Sequence, residues 1–560
     1  NCLAQMGFDD LLNDLKQALF SKNGDFLVKQ VISQFPVAMI DEFQDTDPIQ
    51  YKIFDRIYHD SKTSLLLFIG DPKQAIYSFR GADIFTYIKA KLSVDHRFTM
   101  TTNWRSIPEM VIAVNEIFSL KKNPFIFEQI PFVTMKSAEE NQNKGFYIHN
   151  EKVEALRCYL LPESVSSAND YLEFAAQTCA EQIAQWLTTE SYIYNKQGES
   201  HNISSADIAI LVRTGREAEI MRESLTKRNI KSVYVSNHRS VFESIEAKEV
   251  LRILQAVILP TDEMALRSAL ATRLIGATMA EIDHLSIDQQ ALENLVDEFN
   301  EYQVIWYRYG VLVMLRRLMN RRSLAENWLA MAEGERIITN FMHLSELLQE
   351  ISQELDTPHA LIRWLIKQIN EPNSNATNHE QRLESDKNLI NIITIHKSKG
   401  LEYPIVFLPF IGHYRESNSS VYHDEKTYST YYAHDKTSSI KKIIEQERLA
   451  EDLRLLYVAL TRSIYHCSFV LAGLKKGRSK DLSINKSAIG HLLLMERDND
   501  YDSFQQRLVQ LSTLPVVNVE LPIPITSLNI ENELLDTLTA NIFKRKLNST
   551  WRVTSYSGLQ

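Results

Sequence analysis

Two adjacent carboxylates, Asp41 and Glu42, close the apolar run Val37-Ala-Met-Ile40. Chemistry at a nucleotide phosphate needs such a pair: one carboxylate holds Mg²⁺, directly or through water, while its neighbour orients or deprotonates the attacking water. Asp41 is the metal candidate and Glu42 the base candidate. The same pair could instead be the acidic first turn of a helix, where the macrodipole favours it. A second apolar run leads into Phe68-Ile-Gly-Asp-Pro-Lys-Gln-Ala-Ile-Tyr-Ser-Phe-Arg-Gly-Ala-Asp83. Gln74, just past a strand end, can hydrogen-bond a γ-phosphate, and Tyr77 and Phe79 offer flat faces to unstacked bases. Ordinary core packing uses the same residue types. Thr102-Asn-Trp-Arg-Ser106 sets the ring of Trp104, a surface for adenine, beside Arg105, a partner for phosphate oxygens as charge develops. Ile393-Thr-Ile-His-Lys-Ser-Lys-Gly-Leu-Glu-Tyr-Pro-Ile-Val-Phe-Leu408 places a polar, glycine-containing turn between two apolar runs. Its backbone N–H groups, hydroxyls and lysines suit phosphate, or simply water. Glu447 to Ser463 reads as an amphipathic helix presenting Arg462 at its far end, where the dipole also favours a surface cation.

These groups need strand ends and turns to hold them. Val37–Ile40 and Leu65–Ile69 read as short buried parallel strands with helical spacing between them over Pro48–Tyr58, the pattern of an α/β sheet whose ligands sit at the carboxyl ends of its strands. From Lys136 to Asp170 the chain turns polar, as a linker or a set of peripheral strands would. A second α/β unit follows, with a helix at Tyr171–Trp186, a strand at Ile208–Val212, a helix at Glu217–Thr226 and a strand at Val233–Val235. From Ala247 to about Ile369 almost every segment is helical in pattern, which reads as an all-α insertion, after which strand patterns return at Ile390–Ile395 and Ile405–Leu408. Glu416–Ser439 reads as a polar loop, and Pro515, Pro522 and Pro524 mark extended chain.

Composition narrows the classes. With 560 residues, 44% hydrophobic and 24% charged, and only 16 Gly and 15 Pro, the chain is a multi-domain globular protein rich in helix. The net charge of -10 gives no global attraction for nucleic acid, so any such contact uses local patches. Two are available: Arg213 to Arg239, which carries seven cations against three glutamates, and Arg316, Arg317, Arg321 and Arg322; solvated helix faces would look the same. The four cysteines, Cys2, Cys158, Cys179 and Cys467, form no CxxC pair and predict a reducing, cytoplasmic setting. No apolar stretch approaches the ~20 residues of a membrane helix.

Each motif alone is a modest signal, but their order is informative. Asp-Glu-Phe-Gln-Asp, Gly-Asp-Pro-Lys-Gln-Ala-Ile-Tyr-Ser-Phe-Arg-Gly-Ala-Asp, Asn-Trp-Arg-Ser, Thr-Ile-His-Lys-Ser-Lys-Gly-Leu-Glu and Leu-Leu-Tyr-Val-Ala-Leu-Thr-Arg resemble the later motifs of UvrD/Rep-type superfamily 1 DNA helicases. The resemblance covers essentially the whole chain. It is strongest toward the branch found in exodeoxyribonuclease V, to which Ser240–Lys248, Arg382–Lys387, Ala450–Arg454 and Trp551–Gln560 are also similar.

The resemblance implies an α/β protein with two RecA-like parallel-sheet motor domains, the first incomplete, and an all-α insertion in the second. On that basis residues 1–130 belong to the first motor domain, 131–170 to a linker, 171–246 and 386–475 to the second motor domain, 247–385 to the insertion and 476–560 to a connector. It implies ATP and Mg²⁺ as cofactors and 3′ to 5′ movement on DNA. Asp41 would hold Mg²⁺, Glu42 would activate water and Gln74 would contact the γ-phosphate. Trp104 would stack on adenine, Glu402 would reach the ribose, Gly400 would be a further nucleotide-binding residue, and Arg105 and Arg462 would be arginine fingers from the two domains. Tyr77 and Phe79 would stack on bases, with Arg80, Thr394 and His396 coupling DNA to nucleotide. The implied partners are single- and double-stranded DNA ends and RecC-like and RecD-like subunits. No glycine opens the phosphate-cradling pattern GxxxxGK[ST], and no acidic nuclease cluster is present. The expectation is therefore a helicase portion, inactive alone, with a non-catalytic DNA- or partner-binding module as the alternative.

Overall fold

The computed structural model describes residues 7–59, 61, 63–78, 83–234, 240–331, 334–355, 357–371, 388–417, 419–424, 429–434, 437–475, 482–493, 501–513 and 516–522. Near the start, helices Phe8–Leu19 and Gly24–Gln34 lead to strand β1 (Val37–Ile40), helix α1 (Pro48–Tyr58) and strand β2 (Leu65–Phe68). Asp47 starts α1 by accepting from the backbone N–H groups of Ile49 and Gln50, with Pro48 in the first turn where its missing N–H costs nothing. β1 and β2 pair in parallel, Ile40 opposite Phe68, so their carboxyl ends lie side by side. They are less buried than their apolar sequence predicts. Leu19, Ile53, Ile57 and Tyr58 pack as a small core with Ala38 and Leu66, whereas Val37, Met39 and Leu65 are 54%, 64% and 52% exposed. Among the described residues only one face of this pair is covered.

Helix α2 (Pro108–Ser119), strand β3 (Leu156–Leu160), helix α3 (Ala168–Thr188), strand β4 (Ile208–Val212), helix α4 (Gly215–Thr226) and strand β5 (Ser232–Tyr234) come next. Beyond the helical segment lie β6 (Ile390–Thr394), β7 (Tyr403–Leu408), helix α5 (Ser438–Leu460), β8 (Ser463–Leu471) and β9 (Val517–Glu520). These strands form one all-parallel sheet in the order β5-β6-β4-β7-β8-β3-β9. Its central strands are near-continuous apolar runs, as burial on both faces requires. The expected linker thus contains an interior strand: Leu156–Leu160 pairs with both β8 and β9. The polar stretch before it contributes Gly145–Ile148 and Glu151–Lys152 to a small antiparallel sheet completed by Ser191–Tyr194 and Ser200–Asn202. The expected loop at 416–439 carries a hairpin, Val421–His423 with Thr430–Tyr432. The helices from Ile245–Ile258 to Pro358–Asn370 gather around their own core, in which Trp328 donates its indole N–H to the Leu274 carbonyl.

Candidate active site

The turn after β1 leaves Asp41 and Glu42 exposed. Glu42 takes a left-handed conformation (φ 49°), and its N–H donates to Asp41 Oδ1 at 2.9 Å. Gln44 ties this turn to the one after β2: its amide donates to Glu42, and its Oε1 accepts from the Asp71 N–H at 2.9 Å. The two turns approach closely at Gly70, where a Cβ would lie 2.4 Å from Gln44 Oε1. Asp71 then starts the short helical turn Pro72–Gln74, accepting from Lys73 N at 3.0 Å and from the Gln74 amide at 3.1 Å.

The turn between β6 and β7 meets this surface. Lys399, with a side chain 3% exposed, donates to Asp45 and to the Gln74 carbonyl (3.0 Å), lies 3.3 Å from Glu42 Oε2, and sits 5.2 Å from the centroid of Tyr77. Burial raises the Asp45 carboxyl above its usual range, opposed by the Lys399 ammonium. Tyr77 donates its hydroxyl to the His396 carbonyl at 2.9 Å. Arg105 reaches Glu402 through Nε (2.9 Å) and the Thr461 carbonyl through Nη1 (3.0 Å). Ser106 and Ile107 donate to the Ser463 and Ile464 carbonyls, which fixes the Arg105 segment against β8.

Arg462 is only 2% exposed, not a surface cation at a helix end. It donates to the Val458 and Leu401 carbonyls at 3.0 and 3.2 Å and to Gln74 Oε1 at 3.4 Å. Burial, with Arg105 adding like charge, brings its guanidinium down to about 10. Two guanidiniums, one bonded to the Thr461 carbonyl and the other to the Gln74 side chain, suit an anion that gains charge, as a transferring phosphoryl group does.

Of the residues singled out in the sequence, Glu42, Gln74, Tyr77, Arg105, His396, Glu402 and Arg462 are joined in this way, several through Lys399. Asp41 is exposed beside them. Trp104, 57% exposed, offers an open ring face. Gly400 adopts φ 82° in the turn after Lys399, and Thr394 ends β6 opposite Val212. Phe79 and Arg80 lie outside the described residues. Sequence reasoning missed Lys399, Asp45 and Arg454; the last is buried and donates Nε–H to the Ala75 carbonyl at 2.7 Å. The basic clusters are largely occupied within the chain: Arg213 pairs with Asp452, Arg228 with Glu181, Arg321 with Glu301 and Arg322 with Glu298. Arg316 and Arg317 are exposed. Cys158, Cys179 and Cys467 are buried free thiols. No helix among the described residues is long and apolar enough to cross a membrane.

The UvrD/REP helicase N-terminal domain matches residues 3–95, and the UvrD-like helicase C-terminal domain matches residues 98–465. The chain is 45% identical over 567 residues to the RecBCD enzyme subunit RecB of Escherichia coli (strain K12), covering 99% of this chain and 48% of the relative. It is 36% identical over 578 residues to the subunit of that name from Haemophilus influenzae (99% and 46%) and 26% identical over 589 residues to that of Mycobacterium tuberculosis H37Rv (100% and 51%). The chain spans about half the length of the curated relatives it matches. With a family model matched over more than half its residues, the chain belongs to the UvrD-like helicase family.

Proposed function

We propose that this chain is the ATP-driven, 3′ to 5′ DNA helicase portion of a RecB-type subunit, working in the cytoplasm on DNA ends together with RecC-like and RecD-like subunits in double-strand break repair. The observation that carries the reading is the contact at 3.4 Å between Gln74, at the carboxyl end of the small sheet, and Arg462, from the large one. A site completed only when two units meet converts ligand binding into relative movement, the requirement of a translocating motor. The domain limits expected from the sequence are part of this reading, with one refinement. Ile107 to Ile130 shares a core with the large sheet, which supports a hinge nearer the Arg105 segment than residue 130.

ATP supplies a γ-phosphoryl group for transfer to water. Glu42 orients and deprotonates that water once Lys399 yields its carboxylate, and Gln74 donates its amide to the γ-phosphate. Arg105 and Arg462 stabilise the charge that grows on it. Trp104 would give adenine a stacking face, Glu402, held by Arg105, would reach the ribose, and Gly400 would contribute to nucleotide binding. Asp41, an exposed carboxylate with one oxygen occupied by a backbone N–H, would hold Mg²⁺, which would offset the negative charge of the phosphates. Tyr77, Thr394 and His396 would couple a DNA strand to the nucleotide, the role that the sequence also gives to Phe79 and Arg80, which lie outside the described residues.

The test is DNA-stimulated ATP hydrolysis and strand separation by the intact natural protein. Gln74→Ala should lower strand separation and DNA-stimulated turnover together. Strand separation unaffected by this change, or absent from the intact protein, would contradict the reading.

A further inference from the structure

The segment Pro72–Ser78 lies antiparallel along one stripe of α5. Lys73 places its ammonium 5.5 Å from the centroid of Tyr457, the Ala75 carbonyl accepts from Arg454 Nε at 2.7 Å, and Ser78 donates its hydroxyl to Glu451. Positions 451, 454 and 457 or 458 share a helix face, so the turn is read in register, from 73 at 457 to 78 at 451. The same helix ends one residue before Thr461 and two before Arg462, the partner of Gln74.

Arg454 is the member of this series that packing alone does not explain. Its side chain is buried, the residue being 4% exposed, and its Nη1 has no hydrogen-bond partner. A buried guanidinium with an unfilled donor is costly, and Leu or Met would fill the volume without that cost. What only Arg supplies here is the Nε–H, aimed at the carbonyl that directly follows Gln74.

We propose that Arg454 is a positioning residue: through the Ala75 carbonyl it fixes the turn that carries Gln74, and so sets the alignment of Gln74 with Arg462. This rests on the ATPase reading given above for its consequence, but not for the contact itself. Since Gln74 and Arg462 come from different sheets, the bond also makes α5 the rail against which the turn is registered whenever the two units close.

The experiment uses the intact natural protein and Arg454→Lys, which keeps the charge and the aliphatic stem but puts a methylene where the Nε–H stands. Two readouts are taken. Amide hydrogen exchange over residues 70–78 should quicken while the helical segment 245–370 is unchanged. DNA-stimulated turnover at saturating ATP should fall about tenfold or more, the loss expected for a hydrogen bond from a charged donor, with ATP affinity within about twofold of the parent. In a Gln74→Ala background the same change should cost little further, because Arg454 acts through Gln74. Arg454→Met, similar in volume, serves if the Lys variant does not fold. Unchanged exchange over 70–78, an equal loss in both backgrounds, or a parallel loss of ATP affinity would overturn the proposal. A parent protein without DNA-stimulated hydrolysis would instead refute the functional reading, and the exchange measurement would still decide whether Arg454 holds the turn.

Discussion

At the residue scale the site is defined by cations placed against groups that cannot be satisfied otherwise. Lys399 is the clearest case: its ammonium is almost fully buried and holds Asp45, Glu42 and the Gln74 carbonyl at once. Lys399→Met should leave the half-buried Asp45 carboxylate without its cation and lower stability by about 1–3 kcal/mol. Chemical denaturation of the two proteins measures this, and an unchanged midpoint would mean the ammonium contributes nothing to holding the two turns together. The sequence could not single out Lys399. A turn with two lysines, Lys397 and Lys399, looks the same whether its cations are solvated or buried, and the difference lies in a loop more than three hundred residues away that supplies Asp45. Arg105, Gln74 and Arg462 were legible because their neighbours form ordered motifs; Arg454 sits inside one of those motifs, on a helix face indistinguishable from a salt-bridged surface.

At the scale of elements, the close approach of the turns after β1 and β2 decides where the carboxylates point. Gly70→Ala would press a Cβ against Gln44 Oε1 and within 3.1 Å of the Phe43 backbone nitrogen, so Gln44 must leave the Asp71 N–H and, with it, Glu42. The expected result is a loss of turnover with nucleotide affinity little changed, read by single-turnover hydrolysis and equilibrium binding; equal activity in the variant would show that Gln44 does not organise Glu42. The strands β1, β4, β6 and β7 and helices α1 and α4 were legible from apolar runs and helical spacing. β8 was not, because His466 and Ser468 interrupt its run. In the fold they satisfy each other and the backbone: His466 Nδ1–H donates to the Glu154 carbonyl at 2.6 Å, and its Nε2 accepts from Ser468 at 2.7 Å. β3 was hidden likewise by Arg157, which pairs with Glu154 and with Glu520 of the edge strand β9. Pairing across the sheet, rather than local pattern, makes these segments strands.

At the scale of the whole molecule, buried histidines link stability to acid. Burial brings His466 down to about 3 and His491 down to about 4, from 6.5. Both folded values are depressed, so the unfolded chain takes up protons that the folded one refuses as pH falls below about 6.5. Their contribution is therefore complete above that pH and is lost toward pH 4 at roughly 1.4 kcal/mol per pH unit for each histidine. Unfolding free energy measured between pH 7 and 4, as about the range where this uptake occurs, should show a shallower decline in His466→Gln; identical slopes would remove His466 from the acid response. The larger claim is that one nucleotide site is shared between the two sheets, with Arg105 and Arg462 brought to a single γ-phosphate. It is tested most directly by single-turnover hydrolysis and ATP affinity in the intact natural protein carrying Arg105→Ala, Arg462→Ala or both. Each single change should depress hydrolysis by on the order of 10³–10⁵ while altering affinity far less, and the double variant should be little worse than either. Near-parent hydrolysis in Arg462→Ala, or losses that simply multiply in the double variant, would contradict a shared site.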